Sequence, residues 1–269
     1  KEGSALLNVA TDGESYGHHH RGGDMALAYC LHYIESNDLA TLTNYGEYLE
    51  MHPPAHEVVI HEGSSWSCVH GVERWRRHCG CHVGGRPGWT QSWREALREA
   101  MDWLSGELAL FYEREGGRCF SDPWKARDSF IEILHRRDGE EVDRFMKRVG
   151  TGEMSREEKA RALKLLELQK NAQLIFTSCG WFFDDISGIE TVQILRYAAQ
   201  AIQYLEELGG PALESRFLEI LEKAPGNVTA TGADVYRAHV RPAVVDSFRV
   251  AANYGIKSLF NNHSREGRI

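Results

Sequence analysis

The sequence predicts a mainly α protein, a helical bundle preceded by one or two short strands. Three observations carry that expectation. Apolar residues recur at spacings of three and four through most of the chain after residue 92. Serine followed three residues later by glutamate, the capping-box pattern, recurs before such stretches. The clearest strand-like run, Ala5 to Ala10, stands at the start and breaks into Thr11-Asp12-Gly13-Glu14-Ser15-Tyr16-Gly17-His18-His19-His20. A buried strand that ends in ionisable residues is how α/β enzymes deliver catalytic groups to a pocket.

Length and composition bound the answer. A chain of 269 residues with 42% hydrophobic and 26% charged residues can bury a substantial core. Its net charge of −8 argues against a general nucleic-acid partner, whose affinity needs clustered Lys and Arg. No apolar run approaches the ~20 residues needed to span a bilayer, so no membrane partner is expected. The chain shows no secretion signal, and its six cysteines are expected as reduced thiols in a cytoplasm. It begins with Lys1 rather than Met, which reads as a fragment of something longer.

The elements run in order along the chain. Asp24 to Ser36 reads as a helix with Asp24 as its N-cap. Leu39 to Leu49 suggests a short helix stopped by Pro53-Pro54, and Val58 to Ile60 a brief strand. No period holds from His61 to Trp89, a stretch rich in Gly, His, Cys and Trp; loops that long are functional or tied down. Ser92 and Glu95 open a long helix to about Glu113, and Pro123 suits the first turn of the next. A charged helix spans about Glu141 to Val149. Ser155 and Glu158 open an amphipathic helix that stops at Cys179-Gly180. Ser187 and Glu190 open another to about Leu208, ended by Gly209-Gly210-Pro211. Two further helices, Ala212 to Lys223 and Ala233 to Ala252, precede a polar tail from Asn261, expected to fray. Trp93, Trp103 and Trp124 fall on helix patterns and read as core. The expected organisation is three segments: 1–23, a strand and its loop; 24–91, a helix and the Cys/His/Trp-rich loop; 92–269, the bundle.

Four groups could carry chemistry. Asp12 and Glu14 lie two apart, so on an extended backbone both face one side. Sequence neighbours do not straddle a glycosidic bond, so at most one is an acid and its partner comes from elsewhere. The plain alternative is an Asp-Gly turn. The second group is His18-His19-His20, where one imidazole could meet a sugar hydroxyl or bind metal, or the three could form a polar helix-entry loop. The third runs from Ser64-Ser65-Trp66 through Cys68 and His70 to Cys79-Gly80-Cys81-His82. Trp66 could offer a flat face to a sugar, Cys68, His70, Cys79, Cys81 and His82 could hold zinc, or the loop could be purely structural, its thiols packed as small hydrophobes. Zinc pairs usually leave two to four residues between cysteines, whereas Cys79 and Cys81 flank one glycine, so metal is the alternative rather than the first reading. The fourth is Trp181-Phe182-Phe183-Asp184-Asp185, which could close a pocket or serve the next helix's dipole. No phosphate-binding Gly-rich motif and no Gly-x-Ser-x-Gly elbow is present.

Together these residues resemble known families. Thr11 to His18 resembles the fourth signature region of family 57 glycoside hydrolases, in which the position of Asp12 is the general acid/base. Ser64-Ser65-Trp66 resembles the next signature of that family, which lines its active site. The strings Ser64 to Trp75 and Ser178 to Thr191 are similar to a domain family of unknown function, number 3536, found in tandem with family 57 catalytic domains; the similarity is expected to cover nearly the whole chain.

The resemblance implies that the N-terminal strand completes a (β/α) barrel in a longer protein, whose nucleophilic Glu precedes Lys1. It implies a carbohydrate-active enzyme, a retaining glycoside hydrolase or glucanotransferase acting on α-glucan-like sugars. Asp12 would be catalytic, and Glu14, His18, Trp66, His70, Trp181, Asp184 and Asp185 would bind substrate. The partners would be an oligosaccharide or polysaccharide and the N-terminal barrel portion of the same protein. No cofactor is required on this reading, and the isolated chain would be inactive. The rival is a non-catalytic helical module with a Cys/His metal site or a partner-binding role.

Overall fold

The structure, a computed structural model, describes residues 5–135 and 138–260. The polar tail from Asn261 therefore lies outside the described residues. The chain divides into two compact units, Lys1–His61 and Glu62–Ile269. The architecture is mainly α, as the periodicity predicts.

The first unit carries helices α1 (Gly23–Ser36) and α2 (Tyr45–Met51). Asn44 caps α2 by accepting from the Glu47 N–H at 3.0 Å. Asp24 does not cap α1: that place is taken by Gly22 in a left-handed conformation, and Asp24 sits inside the first turn. None of the unit's described residues is buried. The two predicted strands do not form among the described residues. Leu7 is 92% exposed and Val59 97%. A strand exists only by pairing, and neither run has a ladder partner here. Beyond Ala10 the chain tightens into a 3₁₀ turn, Gly13–Ser15.

The second unit holds the core. Helix α3 (Trp93–Cys119) buries Trp93, Leu97, Met101, Leu104, Leu108 and Tyr112, a stripe at spacings of three and four. Helix α4 (Pro123–Ser129) starts under the Asp122 cap, with Pro123 in its first turn. Helix α5 (Gly139–Val149) is capped by Asp138. Helix α6 (Arg156–Leu174) packs against α3 and against α8 (Ile189–Glu207). Between them sits the short α7 (Cys179–Phe182). Helix α9 (Glu214–Leu221) lies on α3, and α10 (Gly232–Val235) continues into a π-turn, Tyr236–Val240. The long helix predicted from Ala233 to Ala252 is thus broken. Pro242, which has no N–H to donate, stands in a 3₁₀ turn before α11 (Ser247–Phe260).

Two stops and starts also differ from expectation. Gly180 does not end a helix. It lies inside α7, and a Cβ there would meet Ile194 Cδ1 at 2.3 Å, so its role is close contact between α7 and α8. Of the three capping boxes only Ser155–Glu158 forms both bonds. Ser92 makes no side-chain cap bond, and the Ser187 hydroxyl donates instead to Asp185. Trp93 is fully buried, while Trp103 and Trp124 are half-buried against the core.

Candidate metal centre

The loop between the start of the second unit and α3 has no α-helix or strand, only a 3₁₀ turn at Glu73–Trp75. Two tight turns shape it. In the first, the Gly71 N–H donates to the Cys68 carbonyl at 3.1 Å, and Ser65 Oγ donates to the Gly71 carbonyl at 2.7 Å. Gly71 has φ +79°, and a Cβ there would lie 2.3 Å from the Gly63 carbonyl oxygen. Only glycine fits both demands. The second turn centres on Gly80, also left-handed at φ +84°, between Cys79 and Cys81.

The turns bring four donors together. Cys68 Sγ lies 3.9 Å from Cys79 Sγ and 3.8 Å from Cys81 Sγ. Cys81 Sγ lies 3.6 Å from His70 Nδ1. All four donor atoms lie within 4.8 Å of one another. A tetrahedral zinc ion with Zn–S ~2.3 Å and Zn–N ~2.0–2.1 Å needs S···S edges of ~3.8 Å and S···N edges of ~3.6 Å. The sulfurs are far beyond the ~2.05 Å of a disulfide. Cys68 is buried, Cys79 and Cys81 are half-buried, and His70 is exposed.

The electrostatics favour an anionic sulfur at the centre. Burial alone would raise the Cys68 pKa. Hydrogen bonds from the backbone at Arg74 and His70, together with those of Cys81 and His70, outweigh it and bring the thiol down to about 7. Cys81 moves up, through burial and through its neighbours Cys79 and Cys68.

His82, also a candidate ligand, is not among the four. Its Nδ1 accepts from the Gly84 N–H at 3.1 Å, which shapes the backbone beyond the site. The loop is fastened to the bundle by polar bonds. Trp75 Nε1 donates to the Ser178 carbonyl at 2.9 Å, and the Val83 N–H donates to Asp184 Oδ1 at 2.9 Å. Asn227 Nδ2 donates to the carbonyls of Thr90 and Asp184. Arg94 reaches up from α3 to donate to the carbonyls of Cys81, Phe182 and Phe183 at 3.0–3.2 Å.

The other predicted site residues are placed differently. Asp12 precedes the 3₁₀ turn, and its carbonyl accepts from the Ser15 N–H. The turn replaces the extended backbone that would have aligned Asp12 with Glu14. Both are exposed, as is His18, whose ring meets His19 edge-on at 5.0 Å. These three belong to the first unit. In the second, Trp66 is 87% exposed, with its ring centroid 6.4 Å from that of Phe182. Trp181 is buried and stacked on Phe176. Asp185 is buried and accepts from the Ser187 and Asn227 backbone N–H groups. Asp184 is half-buried and holds Val83. Sequence reasoning missed Arg74 and Arg94, both buried beside the cluster. An arginine on the apolar stripe of α3, one residue after Trp93, was the signal for the second.

A family model described as Domain of unknown function (DUF3536) matches residues 89–269. The chain belongs to that family. The match takes in the bundle and the Ser178 to Thr191 string, and begins after the Cys/His cluster, so it is shorter than the near-complete coverage expected from sequence. No curated protein and no solved structure matches the chain. No helix among the described residues is long and apolar enough to cross a membrane.

Proposed function

We propose that the second unit is a zinc-dependent helical domain in which Cys68, His70, Cys79 and Cys81 form a closed Cys₃His centre. The observation that supports this is the convergence of four donors, from two separate turns, within 4.8 Å. Four protein donors complete a tetrahedral shell and leave no open position for substrate, so the role is structural: the ion ties a loop that has little apolar core of its own. A reducing compartment such as the cytoplasm keeps the three thiols available. Metal analysis of reduced protein purified without chelator tests the reading. The expected result is about one zinc per chain, lost in the Cys79→Ser, Cys81→Ser double variant. Metal-free wild-type protein that is folded and reduced sinks it.

A second reading is favoured by Trp66, a tryptophan left 87% exposed beside Phe182. An exposed indole face of this kind suits a sugar ring. On that reading the chain is the helical part of a carbohydrate-active protein similar to family 57, acting on an α-glucan-like oligosaccharide or polysaccharide. Asp12 would be the acid/base, with Glu14 and His18 near it, and a barrel portion of the same protein would supply the nucleophile. Its support is the sequence strings and Trp66; Trp181, Asp184 and Asp185 have structural partners that account for them. Asp12→Asn in the full-length protein should slow glycoside cleavage by ~10²–10⁴-fold. Unchanged turnover would remove Asp12 from that role.

A further inference from the structure

Two arginines lie against the cluster, and neither is a metal ligand. Arg74 is 4% exposed and Arg94 is fully buried. Among the described residues neither makes an ion pair with a carboxylate. Their hydrogen-bond acceptors are backbone carbonyls: His82 for Arg74, and Cys81, Phe182 and Phe183 for Arg94. Each Nε–H is buried and, among the described residues, without a partner. The Arg74 guanidinium also lies over the Phe182 ring, 4.3 Å from its centroid. Two buried like charges, facing mainly carbonyls and a ring, are costly unless an anion stands near.

The anionic groups beside Arg94 are the cluster, whose Cys81 carbonyl it holds, and Asp184, which follows Phe183 and accepts from the Val83 N–H. The charges balance in one state. A divalent ion held by three thiolates and a neutral imidazole carries one net negative charge. Asp184 carries a second. Together they match the two guanidinium charges. With thiols and no ion, Asp184 is, of these two anionic groups among the described residues, the one that offsets the pair.

We propose that Arg74 and Arg94 are positioning residues for the zinc–thiolate centre, supplying the counter-charge that makes its divalent-loaded form the neutral one. This rests on the metal reading of the cluster and extends it in two ways. It selects a divalent ion: a monovalent ion on three thiolates would leave an excess negative charge. It also makes the seating of Phe182 and Phe183 depend on metal, because Arg94 joins their carbonyls to that of Cys81, a ligand.

The test measures zinc affinity by chelator competition at several pH values, on wild-type chain and on Arg74→Gln, Arg94→Gln and Arg94→Lys variants, with helicity checked by circular dichroism. Removing an outer-shell partner typically weakens metal binding by ~10–100-fold. We expect that loss in both Gln variants, with the pH midpoint of metal binding moved upward, because thiolates without a cation beside them are harder to form. Arg94→Lys keeps the charge and should retain affinity within several-fold. If Arg94→Gln does not fold, Arg74→Gln and Arg94→Lys decide. Gln variants with wild-type affinity and an unmoved pH midpoint overturn the proposal while leaving the zinc site standing. Wild-type protein that binds no zinc overturns the metal reading itself.

Discussion

Within the second unit, the 62–91 loop and the helical bundle are held by different physics. The bundle buries continuous apolar stripes: Leu97, Met101, Leu104 and Leu108 on α3, Leu165 and Leu166 on α6, Leu195 and Ile202 on α8. In the loop the buried residues are Cys68, Arg74 and Gln91, a thiol, a cation and an amide. It is pinned by single polar bonds to carbonyls and carboxylates, and by the convergence of its sulfurs. The lesson is that a segment without apolar periodicity can still be ordered, provided something other than burial supplies the energy. The bundle has many small contributions that fail gradually. The loop has a few specific ones that fail together.

That contrast can be broken in order of effect. On the metal reading, chelation acts on the loop and on the Phe182–Phe183 carbonyls that Arg94 joins to it. At free zinc a thousand times its dissociation constant, linkage makes removal cost about 4 kcal/mol. Hydrogen exchange should therefore lose protection across residues 62–91 and 182–184 while α6 and α8 stay protected; simultaneous loss in those helices would mean that the two regions are one cooperative unit. The converse change is Leu165→Ala, which opens a cavity in a fully buried position. It should cost about 3 kcal/mol in chemical denaturation with zinc content unchanged.

A third experiment sharpens the comparison through charge. Glu115 is a buried carboxylate in the bundle, and unlike Arg74 and Arg94 it has ionic partners. Burial would raise its pKa, but hydrogen bonds from Arg114 and Arg161 and the charges of Arg118 and Arg161 outweigh this and lower it below the ordinary 4.5. Arg161 also donates to the Leu208 carbonyl, so the carboxylate joins α3 and α6 to the end of α8. A depressed folded-state pKa stabilises above the unfolded value and loses that stability as pH falls through the folded one. Glu115→Gln should cost about 2 kcal/mol at neutral pH. The gap to wild type should narrow below pH 4.5. A gap that does not change with pH would place the effect in packing. The smallest effect belongs to Ser155→Ala, which removes the formed capping box of α6 for about 1 kcal/mol in thermal or chemical unfolding.

Legibility in the sequence divides along the same line. The bundle helices were readable because burial imposes a period, and the Ser155 box because both of its bonds are local. Ser92 and Ser187 carry the same pattern, yet tertiary partners decide them: Ser187 turns to Asp185. The break at Pro242 and the close packing of Gly180 on Ile194 depend on neighbours distant in sequence. The cluster was visible as residue types but not as a site. Its pairs are Cys68-x-His70 and Cys79-x-Cys81, both tighter than the usual zinc spacing, and in the second the gap is turned by Gly80 at positive φ. The N-terminal strand failed for the complementary reason, since an apolar run specifies a strand only when a partner edge is present.

Trp66 has a consequence of a different kind. The chain has seven tryptophans, and among the described residues Trp66 is the one that stands open to solvent. A collisional quencher in the surrounding water meets that indole first, while the ring of Trp93 is shielded in the core. The protein thus carries an optical gauge on its Cys/His loop, readable without a label. Its emission tracks the segment that zinc would hold, against a background set by the helices that do not need it.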